Sequence, residues 1–154
     1  MRAPSDTAPG PAASDDLRDA LEHAGRRFTR QRAAVFDHLR AVECHPTAEE
    51  VYDAVRRDIP DISLATVYKA LETLVDCGLA SKISSGDGPS RYDCRSDDHY
   101  HLRCLKTGQV RDLAIPFDAK LLEKLAPDLA AELRRQGFEV TGYRLEVLGH
   151  FTGE

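Results

Sequence analysis

The chain has 154 residues, 42% of them hydrophobic and 31% charged, and carries a formal net charge of −5. That length makes one large or two small domains with enough apolar content for a core, and no apolar run is long enough to span a bilayer. An acidic balance gives no global nucleic-acid signature, although a local basic patch is what meets phosphate. The four cysteines, Cys44, Cys77, Cys94 and Cys104, form no CxxC pair, so neither a thiolate zinc site nor a disulfide framework is indicated and a reducing, cytoplasmic location fits.

Residues 1–13 mix Pro4, Pro9 and Pro11 with Gly, Ala and Ser, show no periodicity, lack the apolar core of a secretory signal, and read as a flexible tail. Ser14 then has the character of an N-cap, with Asp15 and Asp16 in a first turn, an apolar stripe of Leu17, Leu21 and Ala24, and Gly25 as the stop. A dense basic cluster follows, Arg26-Arg27-Phe28-Thr29-Arg30-Gln31-Arg32. Thr29 is placed to cap a second helix with Ala33, Val35, Phe36 and Leu39 inward, leaving Arg27, Arg30 and Arg32 around its N-terminus for phosphate contact.

His45 sits in a turn fixed by Pro46, and Thr47-x-x-Glu50 is a capping box opening a third helix with Val51, Tyr52 and Val55 on its buried side. Ser63 caps a fourth helix that Gly78 ends, with Leu64, Val67, Leu71, Leu74 and Val75 as its inner stripe. Ala65, Thr66, Tyr68 and Lys69 stay outside near its N-terminal end. Small, hydroxyl and aromatic groups with one cation are what a recognition helix offers to base edges and thymine methyls. Two strand-like runs around the glycine-rich SSGDGPS then supply a hairpin, and helix-turn-helix plus hairpin is a winged helix.

The stretch from Arg91 to Asp112 carries the densest chemistry. If His99-Tyr100-His101 is extended, the imidazoles at i and i+2 share a face, and carboxylates from flanking strands, Asp93 and Asp112, can close around them. Nitrogen and oxygen donors without thiolate suit Fe, Mn or Zn. Beyond Lys106-Thr107-Gly108 the pattern predicts a helix from about Phe117, interrupted near Pro127 and ended at Gly137, then a long strand from Phe138 to about Phe151. The fold class is therefore α+β: a winged helix-turn-helix domain over 14–92, followed by a small α/β domain over 93–154. The second domain has too little core to be comfortable alone, which points to a homodimer.

Several motifs in order, Arg27-x-Thr29-x-Gln31-Arg32, His45-Pro46-Thr47-Ala48-x-x-Val51-Tyr52, Ser63-x-Ala65-Thr66-Val67-Tyr68, Gly78-Leu79, Arg91-Tyr92-Asp93, Asp98-His99-Tyr100-His101, Gly137-Phe138 and Arg144-Leu145-Glu146, resemble the ferric uptake regulator (Fur) family. The resemblance spans about Arg27 to Gly149 and implies a dimeric, metal-responsive repressor of double-stranded, pseudo-palindromic operator DNA. It is closest to the peroxide-sensing branch, whose regulatory ligands match His45, Asp93, His99, His101 and Asp112; Asp rather than Glu at 93 favours peroxide over iron sensing. The regulatory metal implied is Fe(II) or Mn(II), with Zn(II) possible as isolated. Peroxide reacting with Fe(II) there would oxidise a ligand histidine, His45 or His99, and release DNA. By the same resemblance Arg27 enters the minor groove, while Tyr68 and Lys69 face the major groove, alongside Ser63, Ala65 and Thr66.

The chain departs from the family pattern in three ways. The structural zinc site with two CxxC pairs retains only Cys104, with Thr107, Phe151 and Glu154 at other ligand positions, so no structural four-cysteine zinc is expected. Tyr143 stands where many members have a histidine of an additional metal site. The 117–136 region is longer. Competing readings are an iron- or manganese-responsive repressor without peroxide sensing, a thiol-based redox regulator using Cys44 or Cys94, which adjoin candidate ligands, and a mononuclear non-heme metalloenzyme. For an enzyme, no substrate pocket is evident, and five ligands leave little open coordination.

Overall fold

The first helix starts earlier than its cap signal predicts. In the computed structural model, which describes residues 11–85, 87–95 and 97–152, α1 spans Pro11–His23, so Ser14 lies inside it. Of the expected tail, residues 1–10 lie outside the described residues, as do Gly86 in the hairpin tip and Glu154. At the other end Gly25, at φ 65°, turns the chain so that the Arg26 N–H reaches the Leu21 carbonyl at 2.7 Å. Leu17 and Leu21 are buried as expected; Ala24, beyond the last helical turn, is exposed.

The three later caps form as their spacing predicts. Thr29 accepts from the Arg32 N–H and opens α2 (Arg30–Ala41). Thr47 Oγ1 accepts from the Glu50 N–H while Glu50 Oε2 accepts from the Thr47 N–H, completing the capping box of α3 (Ala48–Val55). Ser63 Oγ accepts from the Thr66 N–H at 3.1 Å and opens α4 (Leu64–Asp76). Each cap satisfies N–H groups that the first helical turn leaves over, typically worth about 1 kcal/mol.

Val35, Leu39, Val51, Val55, Val67, Leu71 and Leu74 meet Leu17 and Leu21 in one core, where α2 packs on both α3 and α4. Leu64 and Val75, expected inside, are only half-buried; Ala70 and Thr73 share the buried face instead. Thr73 is tolerated there because its hydroxyl donates to the Lys69 carbonyl at 2.8 Å. After α4, β1 (Ser81–Ser85) and β2 (Gly88–Asp93) pair antiparallel, with Ser81 opposite Asp93. Three helices and this hairpin make the winged helix.

The described residues divide into two compact units, one ending at Asp97 and one beginning at Asp98. In the second unit, β3 (Tyr100–Cys104) lies at the centre of a sheet ordered β4-β3-β5. It pairs antiparallel with β4 (Val110–Leu113) through the tight Lys106-Thr107-Gly108 turn, where Gly108 takes φ 73°. Two short helices follow, α5 (Leu121–Leu125) and α6 (Pro127–Arg135). The helical segment thus begins at Leu121, four residues later than expected. Asp118 explains the delay: its N–H donates to the Tyr100 hydroxyl, and its carboxylate accepts from the Lys120 N–H and the Lys124 ammonium.

The long final strand is a correction. Only β5 (Glu146–Gly149) is a strand, parallel to β3 with Leu102 opposite Val147. The preceding residues, Phe138 to Leu145, carry no strand assignment. The Leu145 carbonyl accepts from the His101 N–H of β3 at 3.2 Å, but among the described residues no strand pairs with Phe138 to Arg144, and a strand needs a partner for its backbone groups.

Candidate metal centre and nucleic-acid interface

His45 and Asp93 are brought together inside the first unit. His45 Nδ1 lies 3.7 Å from Asp93 Oδ1, and both residues are buried, at 5% and 4% exposure. The backbone around His45 is fixed along β2. The Tyr92 N–H donates to the Pro46 carbonyl at 2.9 Å, and Thr47 bridges Arg91. The buried Arg91 guanidinium donates to the His45 carbonyl at 2.9 Å and to Glu50 Oε2 at 3.2 Å. One side chain therefore ties the turn carrying His45 to the cap of α3. Neither the cap nor a lone arginine before Asp93 reveals this role in the sequence.

The second unit assembles its own three ligand candidates. His101 stands directly opposite Asp112 across the β3–β4 ladder, and His99, two residues earlier, shares its face. Asp112 Oδ1 lies 3.1 Å from His99 Nε2 and 3.7 Å from His101 Nε2, with the two rings 4.5 Å apart at 70°. Two imidazole nitrogens converging on one carboxylate oxygen, without thiolate, form a donor set that fits Fe, Mn or Zn. The alternation predicted for His99-Tyr100-His101 holds, with His99 one residue before β3.

Tyr100, between the two histidines, turns to the opposite face and is 2% exposed. It packs against Phe117 at 5.1 Å between ring centroids and exchanges a 3.0 Å hydrogen bond with Tyr143. Tyr143 in turn donates to the Asp118 carbonyl. Burial, followed by the Tyr100 hydroxyl, pushes the Tyr143 phenol up to about 12. A phenol kept neutral and engaged in this way is a packing group behind β3.

Cys104 is buried at the end of β3. The Thr107 hydroxyl, with N–H groups of Phe151, Thr107 and Lys106, favours the thiolate and lowers this thiol to about 6. Arg111 lies over the Phe151 ring at 4.1 Å. Cys44, Cys77 and Cys94 belong to the other unit; Cys94 Sγ donates to the Leu39 carbonyl at 3.3 Å.

The candidate DNA residues occupy the winged helix. Arg27, Arg30, Ser63, Ala65, Tyr68 and Lys69 are exposed; Thr29, Arg32 and Thr66 are half-buried. Thr29 and Ser63 use their side chains as caps, and Ser63 Oγ also lies 2.8 Å from Thr66 Oγ1. Arg30 donates to the Asp58 carbonyl at 3.3 Å, and Arg32 folds back onto the Arg27 carbonyl. Thr29, Arg30 and Arg32 thus order the turn that presents Arg27. A contact 19 residues apart in the chain, for which the sequence holds no signal, joins the outer face of α4 to α3: the Tyr68 hydroxyl donates to Glu49 Oε1 at 2.8 Å. That bond holds the Glu49 carboxyl below its ordinary value and the Tyr68 phenol above its own.

Comparison with known proteins agrees with this arrangement. Residues 23–148 match the model of the ferric uptake regulator family. The chain is 36% identical over 130 residues to the peroxide-responsive repressor PerR of Staphylococcus aureus, covering 84% of this chain and 83% of that protein. Among solved structures, a zinc-bound manganese uptake regulator superposes with a TM-score of 0.66 at 30% identity, over 88% of this chain and 98% of the other. The Campylobacter jejuni peroxide stress regulator superposes with a TM-score of 0.60 at 28% identity, over 92% and 97%. A winged helix with a basic turn, a second unit displaying a His/Asp donor set, and a family match across most of the chain lead to one conclusion: the chain belongs to the ferric uptake regulator family of metal-responsive repressors.

Proposed function

We propose that this chain is a peroxide-responsive repressor that binds operator DNA as a homodimer when Fe(II) or Mn(II) is held by His45, Asp93, His99, His101 and Asp112. The observation that carries the reading is the convergence of His99 Nε2, His101 Nε2 and Asp112 Oδ1 in the second unit. The buried His45–Asp93 pair in the first unit supplies the complementary donors. A cation shared by the two sets would tie the DNA-binding unit to the dimer-forming unit and would fix the spacing at which two wings meet two half-sites. Arg91 carries that constraint onward, because it holds both the His45 carbonyl and the Glu50 cap of α3.

Bound Fe(II) would supply the chemistry by which peroxide inserts one oxygen atom into a ligand imidazole C–H, the other oxygen leaving as water. The chain's part would be to hold His45 and His99 as ligands of that metal, within reach of the oxidant. Similarity to a peroxide-responsive repressor supports this sensing, and so does a carboxylate as short as aspartate at position 93. Similarity to a manganese uptake regulator favours a second reading, metal-responsive repression without peroxide sensing.

The homodimer is supported by the apolar surface of the second unit, where Leu105, Ile115, Leu125, Phe138, Val147 and Leu148 are all more than two-fifths exposed, Leu125 at 72%. Among the described residues β5 is an edge strand, so pairing or covering it would remove a further liability. Among the described residues no helix is long and apolar enough to cross a membrane, and a partner of operator DNA supports a cytoplasmic location.

Operator binding compared across the metal-free, Mn(II) and Fe(II) forms tests the function. Both metal forms should bind far more tightly than the metal-free form; equal binding by all three would contradict it. Metal analysis should also find no stoichiometric zinc that depends on Cys104, since one thiolate beside Thr107 and Phe151 cannot make a four-thiolate site. Zinc retained at one equivalent per chain and lost in Cys104→Ser would refute that.

A further inference from the structure

We propose that Glu49 is a specificity-determining residue: by accepting a hydrogen bond from the Tyr68 hydroxyl it stops Tyr68 from donating to phosphate and leaves it to read base edges. This rests on the reading of α4 as the helix that faces operator bases. Tyr68 and Glu49 are both exposed, so their 2.8 Å hydrogen bond stands at the surface offered to DNA and is not required by the core.

Glu49 is delivered from a rigid base. It lies in the first turn of α3, between Ala48, which is 2% exposed, and Glu50. The Glu50 carboxylate is held by both the Thr47 N–H and the Arg91 guanidinium. The carboxylate that meets Tyr68 therefore starts from a backbone fixed by the capping box. On the other side, Tyr68 lies on α4 one residue after the fully buried Val67.

The chemistry follows from donor and acceptor counts. A tyrosine hydroxyl with its proton available donates to any phosphate oxygen, and such contacts carry no sequence information. Once the proton is directed to Glu49, the hydroxyl offers only lone pairs, which phosphate cannot use, whereas the amino groups of cytosine and adenine can. The ring remains available for a thymine methyl. The charge of Glu49 further disfavours any docking that brings this corner against the backbone. Both effects subtract more from random DNA than from the operator, which is how an unfavourable element creates selectivity.

The test uses the full-length Mn(II) protein and two probes: duplexes that the wild type selects from a randomised library, and unselected random duplex at the same salt. Glu49→Ala should bind random duplex more tightly and lose about tenfold in preference for the selected duplex, within the range of one base contact. Glu49→Gln keeps the acceptor and should retain most of the preference. Adding Tyr68→Phe to Glu49→Ala removes the freed hydroxyl and should bring the tightened random-duplex binding back towards the wild-type level, with the recovery in preference limited to what the ring reads. An unchanged preference in Glu49→Ala, an equal loss in Glu49→Gln, or no recovery in the double variant overturns the proposal. A wild type that selects no sequence at all would overturn the reading of α4 along with it.

Discussion

Replacing His99 or Asp112 with alanine is expected to abolish Mn(II)-promoted operator binding while leaving the protein folded. Metal affinity should fall by about 100-fold or more, since loss of even an outer-shell partner of a metal ligand costs about 10–100-fold. Asp112 is the more informative of the two. Its single Oδ1 lies within 3.7 Å of both imidazole Nε2 atoms, so its removal disorganises three donors at once. Its backbone remains paired to His101 in the ladder, and its side chain is only partly buried, so stability should change little. Equilibrium metal titration beside a thermal melt separates the two effects. A variant that melts like the wild type and still binds DNA in response to Mn(II) would remove Asp112 from the site.

Arg27→Ala and Tyr68→Ala should weaken DNA binding in different ways. Arg27 is exposed at the turn that Thr29 and Arg32 order, and losing one phosphate contact should lower the salt slope by roughly one unit and weaken all sequences alike. Tyr68 lies on the outer face of α4, and its loss should cost about 1–3 kcal/mol of base discrimination. Binding isotherms across salt, on selected and random duplexes, distinguish the two. Equal losses on both duplexes for Tyr68→Ala would remove it from base reading.

The helical part of the fold was legible because capping is local. Thr29, Thr47 with Glu50, and Ser63 each announce a helix within four residues of sequence, and the buried Val67, Leu71 and Leu74 sit at helical spacing. The histidine pair was legible for the same reason, since extended backbone entering β3 puts His99 and His101 on one face without reference to the rest of the chain. Where the outcome depended on partners distant in sequence, the pattern misled. Phe138 and Val140 begin a strand-like alternation that breaks at Gly142; among the described residues no strand pairs with Phe138 to Arg144, so only Glu146–Gly149, with the Leu145 carbonyl bonded to the His101 N–H just before it, joins the sheet. Asp118 delays the following helix through Tyr100, 18 residues away. Arg91 reaches back 46 residues to the His45 carbonyl, and Glu49 meets Tyr68 across 19. None of these pairings has a spacing that sequence periodicity detects.

The most direct test of the peroxide-sensing account compares the Fe(II) and Mn(II) proteins on operator DNA before and after peroxide. Both metals accept nitrogen and oxygen donors, so both forms should bind DNA at the start. Only Fe(II) readily reduces peroxide, and the oxidant is short-lived, so damage should fall on the nearest imidazoles. Peroxide should release DNA from the Fe(II) form alone, mass spectrometry should show one added oxygen on a peptide carrying His45 or His99, and Asp93→Glu should blunt the release while keeping metal-dependent binding. Equal release from the Mn(II) form, or oxidation confined to Cys44, Cys77, Cys94 or Cys104, would contradict the histidine mechanism and make the thiol reading the better one.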